Sequence, residues 1–490
     1  MELNADDRQF FTAVVEIIFS NPFDDVGTRI RALVPGAPRS SGATAKHPFG
    51  AIVPACEERL ERLAAASITA PRDVAARDRE ILGYVLLFRV YHHYVEHFDA
   101  LITEQLTKGD EPVAAPFADA LLGELHACGF DGDDAARYLA LFYQLRRAYY
   151  FIVDSLLGDS PAMGRLRHAL WNNVFTTDVR IYEKHLWNRM EDFSTLMLGE
   201  TGTGKTSAAA AIGRSGLIPY DRKRGCFAAS FNTSFVAANL SQYPQSIIES
   251  ELFGHRKGAF TGAIDNHRGL FERLSSYGSL FLDEIGEVSV PIQIKLLTVL
   301  QERRYSPVGS HEQLRFDGRV IAATNRSLAE LRASAEFRDD FLYRLCSDVI
   351  EVPPLRLRLQ EHPPELEQLV SLLIARATGS PAPDLTDMVV TSLRATIEDD
   401  YPWPGNVREL EQAVRRILLN GRYQGVASEA DRDEESSLAM EIRAGSLTAT
   451  DLLSRYCRAL YTRLGSYEQV ARHIDLDRRT VKKYIERDAG

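Results

Sequence analysis

The chain has 490 residues and a formal net charge of −11, and 45% of its residues are hydrophobic and 26% charged. This composition is ordinary for a soluble globular protein, and the length leaves room for about three domains. No apolar run approaches the roughly 18 to 20 residues of a membrane span, so we expect no membrane contact. The negative charge excludes DNA binding by overall electrostatics, and any such contact requires a local basic patch.

The five cysteines are scattered, form no CxxC pair and are odd in number. This pattern favours free thiols in a reducing compartment over a disulfide framework. The first residues are acidic, whereas a secretory signal begins with basic residues. The sequence therefore predicts a cytoplasmic protein.

Residues 1–165 are predicted to form an α-helical domain. Apolar and aromatic side chains recur every three or four residues over 81–102, and a second pattern of this kind follows Asp133. Residues 117–128 are a further helix candidate, while residues 35–50, rich in Pro, Gly and Ser, indicate a loop. The region lacks the strand–helix alternation of a phosphoacceptor receiver domain, so we expect no receiver here.

From Phe193 the pattern changes to α/β, with short apolar runs separated by helical stretches. This alternation predicts a parallel sheet with both faces covered. Residues 362–421 are then predicted to be helical, and the acidic residues 425–447 indicate a linker. The predicted strands are Thr195–Leu198, Leu280–Leu282, Val320–Ala323 and Val349–Val352.

A phosphate-binding loop follows the first of these strands and matches G-x-x-x-x-G-K-[ST]. Its glycines allow backbone N–H groups to surround phosphate oxygens, and Lys205 supplies a positive charge to the β and γ positions. The Thr206 hydroxyl is suited to Mg²⁺, and the alanine-rich helix that follows adds its dipole to the anion site. The predicted nucleotide-binding residues are Gly199, Glu200, Thr201, Gly202, Thr203, Gly204, Lys205 and Thr206.

An acidic pair, Asp283 and Glu284, ends the second predicted strand. The carboxyl edge of a parallel sheet is where α/β proteins bind ligands, so both carboxylates are expected beside the phosphates. Asp283 would hold Mg²⁺ together with Thr206, and Glu284 would orient the attacking water. The sequence therefore predicts hydrolysis of ATP with Mg²⁺.

Between the phosphate loop and the acidic pair lies a glycine-flanked segment that includes Phe260 and Thr261. Gly258 and Gly262 permit a tight exposed turn, and an aromatic tip offered to solvent indicates a binding partner. The alternative is a hairpin whose Phe tucks into the core. With the phosphate loop and acidic pair, this segment resembles the AAA+ domain of sigma-54-dependent transcription activators, also called bacterial enhancer-binding proteins, over about residues 171–424.

The resemblance implies roles for further residues. Thr324-Asn325 resembles the first sensor of the family, and Asn239 resembles the residue that restrains the catalytic Glu. Arg408 resembles the second sensor, which belongs to a helical lid at about residues 362–421. Many members of the family carry an acidic residue at the place of Thr206. Asn239 is equally compatible with a solvated turn. Arg338 and Arg344 resemble fingers that reach a neighbour's ATP site, although surface ion pairs are the alternative.

The last segment, residues 448–490, is predicted to be a Fis-like helix-turn-helix domain. Val470, Ala471, Ile474, Leu476, Val481 and Ile485 are positioned to form a small core. Asp475 occupies the turn, where Asp tolerates left-handed geometry, and Asp477 is expected to cap the second helix, whose basic start suits a DNA major groove. The alternative is a merely solvated helix. The predicted DNA-binding residues are Arg478, Arg479, Thr480, Lys482 and Lys483.

A histidine-rich stretch raises the question of a metal site. His93 and His97 lie at i and i+4 and are predicted to share a helix face, with His92 and Glu96 on another. Zinc needs three or four converging ligands, and no third ligand is evident. Ordinary surface or partly buried histidines are the preferred interpretation.

The predicted architecture is therefore multidomain: an α-helical N-terminal regulatory domain, an α/β AAA+ P-loop domain with a helical lid, and a small α-helical DNA-binding domain. The resemblance implies an ATP-driven activator that binds double-stranded DNA upstream of a promoter. A homo-oligomeric ring, expected to be a hexamer, would remodel sigma-54 RNA polymerase through Phe260 and Thr261. The alternatives are a signal-responsive DNA-binding repressor that uses the AAA+ core for oligomerisation, and an AAA+ remodeller of another client.

Overall fold

In a computed structural model the chain forms two compact units, Met1–Pro381 with Gly405–Leu410 and Ala382–Pro404 with Glu411–Gly490. No helix among the described residues is long and apolar enough to cross a membrane. The predicted acidic linker lies outside the described residues, as does most of the predicted proline-rich loop. The structure describes residues 1–37, 47–398, 400–423, 448–464 and 466–486.

The described part of residues 1–165 is helical, as predicted, and contains no strand. The helix expected over residues 81–102 is in fact two helices, because the backbone turns at Tyr94 with φ −111° and ψ 5°. The predicted domain boundary near residue 165 falls inside a helix. The helices are α1 Ala5–Ile18, α2 Val26–Leu33, α3 Val53–Ala65, α4 Ala76–His93, α5 Val95–Lys108, α6 Ala118–Ala127, α7 Gly132–Ser155 and α8 Pro161–Phe175.

A five-stranded parallel sheet follows, with strand order β4-β5-β8-β1-β9. All four predicted strands are confirmed. The fifth strand, Phe235–Asn239, was missed because it lies at the sheet edge and is mostly only partly buried. Two small antiparallel pairs, β2 with β3 and β6 with β7, complete the strands. The strands are β1 Thr195–Leu198, β2 Tyr220–Asp221, β3 Cys226–Phe227, β4 Phe235–Asn239, β5 Ser279–Asp283, β6 Arg304–Tyr305, β7 Leu314–Arg315, β8 Arg319–Thr324 and β9 Asp348–Glu351.

Helices connect these strands and continue to the C-terminal segment. The predicted helical region 362–421 is confirmed in its described part, as is the helix-turn-helix pattern. The remaining helices are α9 Val179–Ile181, α10 Lys205–Gly213, α11 Gln245–Phe253, α12 Leu270–Arg273, α13 Val290–Glu302, α14 Leu328–Ala333, α15 Asp339–Leu345, α16 Leu355–Glu361, α17 Glu365–Thr378, α18 Pro383–Thr396, α19 Asn406–Asn420, α20 Ala449–Leu464, α21 Tyr467–Ile474 and α22 Arg478–Glu486.

The N-terminal helices cover one face of the parallel sheet. Alternate residues of a strand point to opposite faces. Met197, Phe281 and Ile321 accordingly join one continuous core with the N-terminal helices, whereas their neighbours Leu196 and Leu280 join a separate core on the opposite face. The helical region and the sheet are therefore one folding unit.

Arg147 of α7 joins the helical region to α10. Its buried guanidinium donates hydrogen bonds to the carbonyl oxygens of Arg214 at 2.9 Å and Gly216 at 2.6 Å, just beyond the end of α10. A cation at a helix C-terminus is favoured by the helix dipole, and the guanidinium also lies 4.3 Å from the ring centre of Tyr143. Burial lowers the pKa of Arg147 to about 10.

Replacing Arg147 by Ala should lower the unfolding free energy by about 3 kcal/mol, because it leaves two buried carbonyls without donors and opens a cavity. Denaturant unfolding of the full chain measures this change. Arg165→Ala is the matched control, since Arg165 is exposed and pairs only with Glu361, and it should cost at most about 1 kcal/mol. Equal effects of the two variants would contradict the role of Arg147.

Candidate nucleotide-binding site

The phosphate-binding loop joins β1 to the N-terminus of α10. Gly202 and Gly204 have φ of 80° and 102°, which favour glycine. A Cβ on Gly202 would also lie 2.3 Å from the carbonyl oxygen of Gly405, so no side chain fits there. Lys205 is only 6% exposed, and its ammonium donates to the carbonyl oxygens of Gly199 at 2.7 Å and Glu200 at 3.1 Å.

The acidic pair lies beside this lysine at the carboxyl edge of the sheet. Asp283 ends β5, and its carboxylate accepts a hydrogen bond from the Glu284 N–H at 3.0 Å. Burial and the neighbouring Asp283 raise the pKa of the Glu284 carboxyl. Burial lowers the pKa of Lys205, and the attraction of Glu284 and Asp283 opposes this shift. The structure thus brings the three predicted groups into one electrostatic cluster.

Residues from the start of α19 close over the phosphate loop. The Val407 N–H donates to the Gly202 carbonyl oxygen at 3.1 Å. The side chain of Asn406 donates to Glu200 and to the Thr201 carbonyl oxygen, both at 3.1 Å. Arg408 is exposed and near enough to Lys205 to lower its pKa. The predicted second sensor therefore lies at the phosphate loop.

Asn406 links the phosphate loop to the segment after β9. It is the first residue of α19, with φ of 53°. Its carboxamide oxygen accepts a hydrogen bond from the Leu355 N–H at 2.8 Å. Glu200, its other partner, is held by Arg356 at 2.6 and 2.8 Å, and this pairing lowers the pKa of Glu200. Sequence reasoning missed Arg356, because no motif marks it.

The two asparagines with predicted sensor roles lie at the same sheet edge, and each is next to a different residue of the acidic pair. Asn325 follows β8 and reaches Glu284 through a backbone hydrogen bond, while its side chain is exposed. Asn239 pairs with Asp283 in the β4–β5 register. Its carboxamide oxygen accepts two hydrogen bonds from Ser241, at 3.0 and 2.7 Å, which is the turn interaction foreseen as the alternative.

Arg338 and Arg344 flank α15 and are engaged within this chain. Arg338 is exposed and paired with Asp340 at 2.7 Å, which raises the pKa of the arginine. Arg344 donates to the Leu300 carbonyl oxygen at 3.1 and 2.8 Å. Both guanidinium groups therefore contact elements other than the phosphate loop.

The glycine-flanked segment forms a closed, exposed loop between α11 and α12. The Gly258 N–H donates to the Ala263 carbonyl oxygen at 2.8 Å, and the Ala263 N–H to that of Phe260 at 3.0 Å. Phe260 is 43% exposed and makes only an edge contact with the ring of His255, 4.9 Å away. The aromatic tip is thus not tucked into the core, and Thr261 beside it is exposed.

A second loop, between β6 and β7, supports the base of the first. The Arg256 N–H donates to the Val308 carbonyl oxygen at 3.0 Å, and Arg256 pairs with Glu312. A Cβ on Gly309 would lie 2.6 Å from that of Ala259. The two loops therefore pack in direct contact.

The C-terminal helices have the predicted geometry. Asp475 adopts the left-handed conformation with φ of 53°. Asp477 accepts hydrogen bonds from the Thr480 hydroxyl and from the N–H groups of Arg479 at 2.9 Å and Thr480 at 3.0 Å. The hydroxyl, followed by the backbone donors, lowers the pKa of Asp477. Val470, Ala471, Val481 and Leu460 form the buried core, and Ile474, Leu476 and Ile485 pack on it. Among the predicted DNA-binding residues, Thr480 is partly buried and the exposed residues are Arg478, Arg479, Lys482 and Lys483.

The histidine cluster does not form a metal site within the described part of the chain. His93 bonds to Glu124 at 2.9 Å and to Glu57 at 3.1 Å. His97 lies on the next helix, where it packs on Tyr94 and Phe117. The helix break at Tyr94 separates the two rings that a continuous helix would have placed on one face.

Comparison with known proteins agrees with this geometry. Residues 178–351 match the model of the sigma-54 interaction domain. Over these residues the chain is similar to a sigma-54 interaction domain.

Similar curated proteins are the DNA-binding transcriptional regulator NtrC of Azospirillum brasilense, 38% identical over 54% of this chain and 47% of the relative, and the Nif-specific regulatory protein of Azotobacter vinelandii, 38% identical over 59% and 49%. The transcriptional regulatory protein ZraR of Klebsiella oxytoca is 38% identical over 55% of this chain and 53% of its own. The chain thus matches about half the length of these relatives.

Replacing Glu284 by Gln should stabilise the nucleotide-free chain at pH 7.5, raising the melting temperature by about 1 °C. The raised pKa means that the folded state penalises the ionised carboxyl, and this penalty disappears below the unfolded-state pKa of about 4.5. The gain should therefore shrink as the pH falls toward that value. Calorimetry across this range tests it, with the exposed Glu336→Gln as control; a gain that persists or grows in acid would contradict the assigned cause.

Proposed function

We propose that this chain is an ATP-hydrolysing activator that acts on sigma-54 RNA polymerase. The observation that carries the proposal is the exposed Phe260–Thr261 loop on a unit that also holds a complete phosphate site. A nucleotide site alone is compatible with many AAA+ activities, whereas an aromatic side chain held in solvent on a glycine-flanked loop is suited to contact a partner. The domain match names sigma-54 as the partner class.

The residues of the site fit ATP and Mg²⁺. The buried Lys205 ammonium has carbonyl oxygens and nearby carboxylates as its surroundings, and phosphate oxygens would complete it. The hydroxyl of Thr206 is exposed at the first turn of α10, where with Asp283 it would hold Mg²⁺. The ion would neutralise charge developing on the phosphates.

Glu284 is the residue proposed to position the attacking water. Its raised pKa indicates a carboxylate in a poorly solvated place, which suits a group that accepts a proton from water. The Asn325 N–H holds this carboxylate, so a shift of β8 would move it. Arg408 reaches the same cluster from α19 and would register loss of the γ-phosphate.

A short path connects the phosphate edge with the exposed loop. β4 ends at Asn239, paired with Asp283, and the chain then passes through α11 directly into the loop. Gly254, at the end of α11, accepts a hydrogen bond from the Val308 N–H of the supporting loop at 2.9 Å. A displacement at the acidic edge would therefore reach both loops through one helix of nine residues.

Replacing Thr261 by Ala should leave ATP hydrolysis within about twofold of the parental rate and abolish opening of a sigma-54 promoter. Thr261 is exposed on the loop and belongs to no element of the phosphate site. Thr261→Ser keeps the hydroxyl and should retain promoter opening, whereas Lys205→Ala should lose both activities. Hydrolysis and open-complex formation measured on the same preparations test this. Parental promoter opening by the Thr261→Ala chain would remove the main support for the proposal.

We further propose that the chain works as a homo-oligomeric ring, with a hexamer as the expected size. Arg338 and Arg344 would reach the ATP site of the neighbouring subunit, where a forked guanidinium matches phosphate oxygens. Arg338 is the more available of the two, since its exposed partner Asp340 lies two residues away. Arg344 would first have to release the carbonyl oxygen of Leu300.

Mixing Arg338→Ala subunits with Glu284→Gln subunits should recover hydrolysis that neither variant shows alone. Some interfaces in mixed rings then combine an intact arginine with an intact glutamate, whereas the pure variants are expected to lose about 10³-fold in rate. Arg332→Ala, an exposed arginine on the preceding helix, is the control and should keep parental activity. Absence of recovery at every mixing ratio, with rings present, would contradict a finger acting between subunits.

DNA binding through α22 is part of the same proposal. Arg478, Arg479, Lys482 and Lys483 give the exposed start of this helix a positive charge, which suits contact with DNA phosphates. Double-stranded DNA near the regulated promoter is the expected target. A cytoplasmic location belongs to this proposal, because the DNA and the polymerase are found there.

A further inference from the structure

A cavity of about 110 Å³ lies inside the N-terminal helical region. Helices α1, α4, α7 and α8 line much of it, and most of its wall is aromatic or aliphatic. A cavity of about 150 Å³ with an apolar lining stays dry and binds benzene, so this space is the size of a single ring. The residues that define its centre are Phe88, Tyr91, Leu141, Phe142, Leu145 and Trp171.

Two polar groups on the wall stand out from this apolar lining. Trp171 is 6% exposed, and its indole N–H is buried without a hydrogen-bond acceptor. His92 donates from Nδ1 to the Phe88 carbonyl oxygen at 3.0 Å, which leaves Nε2 as an acceptor. A buried donor without a partner costs free energy, and a ligand oxygen would satisfy it.

Charged groups on the wall are already matched by protein partners. Arg146 pairs with Asp99 at 2.5 Å, and Glu183 pairs with Arg137 at 2.5 Å. Burial also keeps His92 neutral, since it lowers the pKa of the imidazole to about 4. The wall therefore offers no charge to an ionic ligand, and transfer of an unpaired charge into such a space is strongly unfavourable.

We propose that this cavity is an effector site for an uncharged single-ring aromatic molecule that carries one oxygen substituent. The ring would pack among the aromatic side chains of α4 and α7. The oxygen would accept the Trp171 N–H, and a hydroxyl hydrogen could be donated to His92. An aliphatic molecule of the same size lacks the edge and face contacts that aromatic walls favour.

The position of α7 connects this cavity with the nucleotide site. One side of α7 lines the cavity with Phe142 and Leu145. The other side holds α10: Gln144 donates to the Ser215 carbonyl oxygen at 2.9 Å, and Arg147 binds the two carbonyls beyond that helix. Because α10 begins at Lys205, filling the cavity should change ATP affinity, and ATP should change ligand affinity by the same factor. This coupling rests on the proposed function, whereas the binding itself does not.

The test measures binding of p-cresol, toluene and benzoate to the full chain by thermal melting and isothermal calorimetry. p-Cresol should raise the melting temperature, and the rise should grow with the logarithm of its concentration above the dissociation constant. Toluene should bind about tenfold more weakly because it lacks the oxygen, and benzoate should not bind. No binding of p-cresol or toluene at millimolar concentration would overturn the proposal, as would preferential binding of benzoate.

Three variants locate the binding in the cavity. Leu145→Trp fills the space and should abolish p-cresol binding, while Leu106→Trp, on α5 and outside the cavity, should retain it. Trp171→Phe keeps the ring and removes the N–H, so p-cresol and toluene should then bind within about twofold of each other. Parental binding by a folded Leu145→Trp chain would overturn the site. If that chain does not fold, an unchanged tenfold preference in Trp171→Phe would overturn it instead.

Ligand binding and its coupling to ATP are separable in the same experiment. p-Cresol should still bind to Lys205→Ala, which is expected not to bind ATP, so loss of nucleotide function leaves the cavity testable. In the parental chain p-cresol should shift the ATP dissociation constant by about fivefold or more. An unchanged ATP affinity with p-cresol bound would overturn the coupling and leave the binding site in place.

Discussion

A parallel sheet has to be covered on both faces, and this constraint determines the arrangement of the first compact unit, Met1–Pro381 with Gly405–Leu410. Met197 of β1, Phe281 of β5, and Ile321 and Ala323 of β8 join the core that the N-terminal helices complete. The N-terminal helices therefore cover one face of the parallel sheet. This constraint places α7 against α10, and through α10 against the phosphate loop.

The nucleotide site is assembled from distant segments that this core holds in place. Lys205, Asp283 and Glu284 converge because the carboxyl ends of neighbouring parallel strands meet at one edge. Asn406 then joins that edge to α19 through three hydrogen bonds. Glu200, which belongs to the phosphate loop, is held from outside the sheet by Arg356.

Sequence motifs predicted the features that residues adjacent in the chain determine. The phosphate loop, the acidic strand end, the glycine-flanked turn and the caps at Asp475 and Asp477 were all evident, because short-range backbone geometry determines them. Interactions between distant segments were not. The helix break at Tyr94 and the edge strand β4 carry little periodic signal, and the role of Asn406 depends on partners about 50 and 200 residues away.

The continuous core has a consequence for modularity. A regulatory domain that is joined to a catalytic domain by a linker can be exchanged or deleted, and the catalytic domain remains folded. Here the removal of the helices would uncover Met197, Phe281 and Ile321 and leave the end of α10 without Arg147. A truncated chain would thus lack part of its own interior. A change of regulatory ligand is therefore easier to achieve by substitutions on the inner surfaces of α4, α7 and α8 than by exchange of the whole helical region.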